Sequence, residues 1–192
     1  MKEYACDLVK SLREKNIPQV TYLAHSVNAF IAFHAAIKEP ALFDKIVLLS
    51  ALPYLRQDMN AQYQCGFDAD TDTNFFFDKI FKSQPLDDTS PEQLQTLLAR
   101  SFSKMNEDKA RLILNLLMTT DCRSHLDNIT IPVMILQGLH DKIANSEAAF
   151  FMHRRIPDSF IVKIKAKGHL PQYSAPEELV RVMEIFLYPA FC

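Results

Sequence analysis

Ser26 stands in the run Val20-Thr21-Tyr22-Leu23-Ala24-His25-Ser26-Val27-Asn28-Ala29-Phe30. There an apolar segment that reads as a buried strand passes through small residues straight into a helical pattern. A serine on so sharp a strand-to-helix turn stands clear of the backbone. Its hydroxyl can meet a histidine brought by another loop, and the N–H of Val27 is expected to face the point where a reacting oxygen gathers charge. This is the geometry of a nucleophile for acyl transfer. Two further apolar runs end in the residues such a nucleophile needs. Pro132-Val133-Met134-Ile135-Leu136 leads into Gln137-Gly138-Leu139-His140-Asp141, and Phe160-Ile161-Val162-Lys163-Ile164 leads into Lys167-Gly168-His169-Leu170-Pro171. The candidate catalytic residues are therefore Ser26 as nucleophile, His169 as base and Asp141 as the carboxylate that orients it. The Val27 N–H is the candidate oxyanion donor.

The elements that must position these residues alternate. Glu3 to Lys15 predicts a helix with an apolar stripe of Tyr4, Leu8 and Leu12 widened by Val9, and Asn16-Ile17-Pro18 stops it. The strand Gln19 to Ala24 follows, then a helix Val27 to Lys38 that is apolar on nearly every side and so must be buried. Glu39-Pro40 ends it before the strand Lys45 to Ser50. Strand, helix, strand with short links makes a right-handed parallel unit the default. After the strand leading to Asp141, a helix is expected over Ser146 to Arg155; after the strand leading to His169, another over Glu177 to Leu187.

Between Leu52 and Asp127 the pattern is helical throughout. Thr73 to Lys82 carries Phe75, Phe76, Phe77, Ile80 and Phe81. Ser90 to Phe102 opens with Ser90, Pro91 and Gln93, an arrangement suited to a helix start. Glu107 to Met118 repeats a stripe of Ala110, Ile113, Leu114 and Leu117. Helices inserted between two strands of a parallel sheet read as a lid. The expected organisation is a core of residues 1–51 and 128–192 with a lid of 52–127, whose apolar faces roof a pocket for a small, largely nonpolar substrate.

Composition narrows the function further. A chain of 192 residues with 48% hydrophobic and 23% charged residues is ordinary globular material for one domain. A net charge of −2 gives no basic footprint for nucleic acid. Cys6, Cys65, Cys122 and Cys192 form no C-x-x-C pair, which argues against a zinc or redox motif and suits a reduced, cytoplasmic setting. No apolar run approaches the roughly 20 residues of a membrane span. His140 beside Asp141 lacks the further ligands a metal needs, so no metal is expected there. His25, His34, His125, His140 and His153 lack a matching partner at a strand end and are assigned structural or solvent roles.

The order Ser, Asp, His is that of the α/β-hydrolase fold. Several segments extend the likeness: Ala24-His25-Ser26-Val27, Glu39-Pro40-Ala41-Leu42-Phe43-Asp44-Lys45-Ile46-Val47-Leu48-Leu49, Gln64-Cys65-Gly66-Phe67, Thr120-Asp121-Cys122-Arg123 and Gly168-His169-Leu170-Pro171-Gln172. In these the chain resembles the α/β-hydrolases that include the bacterial stress regulator RsbQ and the plant karrikin and strigolactone receptors. The resemblance implies an α/β-hydrolase fold with a helical lid, a triad of Ser26, Asp141 and His169, and hydrolysis of a small ester or lactone without cofactor. It equally implies members that signal through a partner protein after binding or cleaving a ligand.

Departures from that pattern set three expectations. Ala24 and Asn28 stand where the elbow has small residues, and Asn28 is expected to strain the turn. The family's strands that precede the helix Glu3 to Lys15, with the loop carrying a second oxyanion donor, have no counterpart here. The fold is therefore expected to be an N-terminally truncated parallel sheet, with Gln19 to Ala24 at its edge. The functions expected are a serine hydrolase, a ligand-sensing regulator of the same fold, or an inactive remnant.

Overall fold

Alternating strand and helix patterns produce a parallel sheet covered by helices. The computed structural model describes residues 1–55, 106–141 and 143–188. In chain order the elements are helix α1 (Lys2–Glu14), strand β1 (Val20–His25), helix α2 (Ala29–Lys38), strand β2 (Phe43–Leu49), helix α3 (Glu107–Thr119), strand β3 (Val133–Leu139), helix α4 (Ser146–Arg155), strand β4 (Ser159–Lys167), and helices α5 (Pro171–Ser174) and α6 (Pro176–Leu187). Among the described residues the strands lie in the order β1-β2-β3-β4, each pair parallel. All four carboxyl ends therefore meet along one edge.

The two faces of the sheet separate by the two-residue period of a strand. Ile46 and Leu48 of β2 and Val133 and Ile135 of β3 pack with α1, α2 and α4 in the larger core. Val47, Leu49, Met134 and Leu136 face the other way, against Leu179 of α6. Strands covered on both sides read as unbroken apolar runs, which is why β2 and β3 carry no alternation. In α2 the side chains of Ala29, Phe30, Ala32, Phe33, Ala35 and Ala36 are all buried, as its all-round apolar sequence requires.

Two expectations need correction. In α1 the fully buried residues are Ala5 and Val9, and Leu8 and Leu12 pack against the same core as expected, while Tyr4 is 42% exposed. The small Ala5 lets α1 approach α2 closely, and it takes the place in the stripe expected of Tyr4. In β1 only Ala24 is buried, and Leu23 is 45% exposed. The run is apolar and reads as buried, yet β1 pairs with β2 alone among the described residues and so lies at an edge, the position expected for Gln19 to Ala24.

The chain between β2 and β3 leaves and re-enters the core at one place. Tyr54 and Asp121 form an antiparallel bridge, the Cys122 N–H donates to the Pro53 carbonyl at 2.8 Å, and the Arg123 guanidinium lies 3.9 Å from the centre of the Tyr54 ring. Helix α3 is capped by Asn106, whose side chain accepts the Asp108 N–H at 2.9 Å, and turns Ala110, Leu114 and Leu117 inward. The helices expected over 73–82 and 90–102 lie outside the described residues. Short α5 has no sequence signal beyond Pro171 at its first turn. No helix among the described residues is long and apolar enough to cross a membrane.

Phe33 is fully buried in the core that α2 shares with the sheet. Phe33→Ala should lower the unfolding free energy by about 3–5 kcal/mol, read from urea denaturation.

Candidate active site

Each strand is followed at once by a residue in the left-handed backbone region. Ser26 after β1 has φ 56°, Ser50 after β2 has 45°, His140 after β3 has 59° and Gly168 after β4 has 73°. Only the last of these is a glycine. For an L residue with a Cβ this conformation costs about 1–2 kcal/mol, so three such residues on one edge store strain where the candidate site lies. At Ser26 the strain makes the elbow that lifts the hydroxyl away from the strand. The short turn Ser26–Asn28 then enters α2. Asn28 does not carry the expected strain: it is exposed with ordinary helical angles of φ −63° and ψ −16°. Ala24, by contrast, is wholly buried.

The edge brings Ser26, His169 and Asp141 together in a row. His169 Nδ1 lies 2.9 Å from Asp141 Oδ2 and 3.1 Å from Oδ1, and its Nε2 lies 2.7 Å from Ser26 Oγ. An ionised carboxylate only accepts, so Nδ1 carries the proton. Nε2 is then bare and accepts the hydroxyl of Ser26. The Asp141 side chain has no exposed surface and that of His169 is 4% exposed.

The loops behind the row are held by their own bonds. Asp141 Oδ1 also accepts the N–H groups of Ile143 and Ala144, each at 2.9 Å. The buried Gln137 amide donates to the Ala144 carbonyl at 2.7 Å and so closes the same loop from the strand side. On β4 the Gly168 N–H donates to the Leu139 carbonyl at 3.0 Å, tying the turn before His169 to the end of β3. Gly138 permits this closeness. A Cβ there would lie 3.1 Å from the carbonyl oxygens of both Ala166 and Gly168. Val27, the candidate oxyanion donor, sits in the turn just after Ser26, ahead of the first helical residues of α2.

One residue beside the row carries no motif of its own. Sequence assigns His25 a structural or solvent role, yet its Nε2 is 2.8 Å from the His169 carbonyl oxygen and the two rings are 5.1 Å apart. Burial, and next the neighbouring His169, hold the His25 pKa below its ordinary value. The one signal available is position: His25 directly precedes the nucleophile.

The remaining histidines lie elsewhere. His34 packs at 5.9 Å from His125 and 3.7 Å from the Cys122 sulfur, on the α1 side of the sheet. His140 is exposed and His153 meets the Ser159 hydroxyl at 3.1 Å. Among the described residues no group of three or more His, Cys, Asp or Glu side chains is placed to hold a metal. Burial pushes the Cys122 thiol up to about 12, which leaves it a neutral, inert packing group at physiological pH.

The fold and this row define an α/β hydrolase, and the family model for the alpha/beta hydrolase fold matches residues 1–176. The chain belongs to that family. Within it the chain is similar to the plant group suggested by its motifs. Karrikin insensitive 2 receptor IA of Petunia hybrida is 29% identical across 95% of this chain and 70% of its own length. Strigolactone esterase RMS3 of Pisum sativum is 25% identical across 96% of this chain and 72% of its own. The solved structure of Est816, described as an N-acyl homoserine lactone degrading enzyme, has the same fold. It superposes with a TM-score of 0.79 at 18% identity, covering 96% of this chain and 74% of that one.

Gly138→Ala should destabilise the protein by about 1–3 kcal/mol in chemical denaturation, since both groups its methyl meets are backbone. Treatment with iodoacetamide at pH 8 should modify exposed Cys6 and spare Cys122 until the protein is unfolded, as read by peptide mass spectrometry.

Proposed function

We propose that the chain is a serine hydrolase acting on a small, largely nonpolar ester, lactone or related acyl compound, with Ser26 as nucleophile, His169 as base and Asp141 as its orienting carboxylate. The observation that carries this reading is the hydrogen-bonded row in which Ser26 Oγ meets the unprotonated Nε2 of His169 at 2.7 Å. As Ser26 attacks the carbonyl carbon, its proton passes to Nε2, and the imidazolium that forms is stabilised by the buried carboxylate of Asp141. The carbonyl oxygen, now negative, is received by the Val27 N–H at the start of the turn into α2. Collapse of the intermediate gives the departing alcohol the proton from Nε2 and leaves an acyl group on Ser26. Water, deprotonated by the same nitrogen, then releases the acid.

The insertion of residues 52–127 is assigned the part of a lid over this edge. In support, Tyr54 and Asp121 are bridged, so the chain departs from the core and returns to it side by side. A second reading has the same pocket report ligand to a partner protein. It is favoured by relatives that are themselves named karrikin receptors.

A fluorophosphonate probe should label Ser26, and the labelling should vanish in Ser26→Ala. Turnover of p-nitrophenyl acetate should fall by roughly a thousandfold or more in the same variant. Wild-type turnover no faster than that of Ser26→Ala would reject the hydrolase, and ligand-dependent capture of a partner by both proteins would then favour the receptor reading.

A further inference from the structure

His25 is the last residue of β1, and the next residue is the candidate nucleophile. Its ring turns across the carboxyl edge toward the loop that follows β4. There Nε2 approaches the backbone oxygen of His169 to 2.8 Å. A carbonyl oxygen can only accept, so this nitrogen must carry the proton, which fixes the His25 tautomer. The rings of the two histidines lie 5.1 Å apart and are inclined at 44°.

The consequence for His169 is attachment at three points. Its Nδ1–H goes to Asp141, its Nε2 takes the Ser26 hydroxyl, and its own carbonyl is held by the residue next to Ser26. The first two bonds act on the ring. The third acts on the backbone from which the ring hangs. Without it the stretch after Gly168, already in a left-handed turn at φ 73°, has one tie fewer to the strand carrying Ser26. Small errors matter here, because a misplacement of about 1 Å in a reacting group costs on the order of a hundredfold in rate.

We propose that His25 is a positioning residue for the Ser26–His169–Asp141 row: by donating Nε2–H to the His169 carbonyl, it holds the backbone of the base in register with the strand that presents the nucleophile. The proposal rests on the reading of His169 as the base. It goes beyond that reading in giving the chemistry a fourth side chain, one that touches neither substrate nor proton in transit.

Three variants of the whole chain test it. His25→Phe keeps the ring and loses the donor, His25→Gln keeps an amide N–H at similar reach, and His25→Asn carries the same amide one methylene short. Thermal melts establish that each is folded. The readouts are kcat and KM on p-nitrophenyl acetate, together with the downfield proton resonance of the His169 Nδ1–H bonded to Asp141. His25→Phe and His25→Asn should lower kcat about ten- to a hundredfold with KM within about twofold, and should broaden or abolish the downfield resonance. His25→Gln should recover most of both.

Wild-type kcat and a sharp resonance in His25→Phe would overturn the proposal, as would a folded His25→Gln no better than His25→Asn. Should His25→Phe fail to fold, the comparison of Gln with Asn decides alone. If the wild-type chain turns over no ester, the hydrolytic reading fails, while the resonance still tells whether His25 holds His169 in place.

Discussion

A carboxylate with no exposed surface governs the arrangement of this edge. The charge on Asp141 is tolerable in the interior only because it is fully occupied, by two N–H groups of its own loop and by the imidazole of His169. An unpaired ion in such a place costs several kcal/mol, whereas one surrounded by donors fixes the position of everything that donates to it. The loop after β3 and the loop after β4 are thereby locked to each other. The tautomer of His169 follows from this bond, and with it the ability of Nε2 to accept from Ser26. Electrostatics at one atom group thus determines the protonation pattern of the whole row.

Geometry supplies the second constraint. Parallel strands ending together on one edge need their chains to turn away sharply, and here each does so through a left-handed residue directly after the strand. A glycine would do this without strain, yet the chain has only 3 glycines and places just one of them, Gly168, at these four positions. Ser26, Ser50 and His140 take the others. Ser50 is the least comfortable of them. It is wholly buried and its hydroxyl finds no hydrogen-bond partner among the described residues, which adds a further cost of about 1–3 kcal/mol. The larger core beneath, with α2 buried along most of its surface, is the source of stability that offsets these local costs.

Much of this architecture is legible in the amino-acid order. β2 and β3 announce themselves as unbroken apolar runs because both faces are covered, and α4 has the bounds its pattern suggests, Ser146–Arg155. Ser26, Asp141 and His169 can be picked out because each follows such a run in the order one topology uses. What the sequence hides has a common physical character, since it depends on contacts between distant segments. Beyond its place directly before Ser26, nothing local distinguishes His25 from the other histidines, because its partner is a backbone oxygen 144 residues away. Tyr4 and Ala5 compete for the same helical stripe, and only the nearness of α2 decides for the smaller. Asn28 reads as an intruder in a crowded turn, but the turn places it outward and loads the strain on Ser26 instead.

The bond between Ser26 and His169 joins residues 143 positions apart. Local chain segments cannot assemble it: β1 must lie beside β2, β2 beside β3 and β3 beside β4 before the imidazole comes within reach. Closing contacts of such long range is the slow part of building a parallel sheet. The hydrogen-bonded row therefore exists only when the whole sheet is in register, which makes the single bond between Ser26 and His169 a gauge of how much of the population is completely assembled.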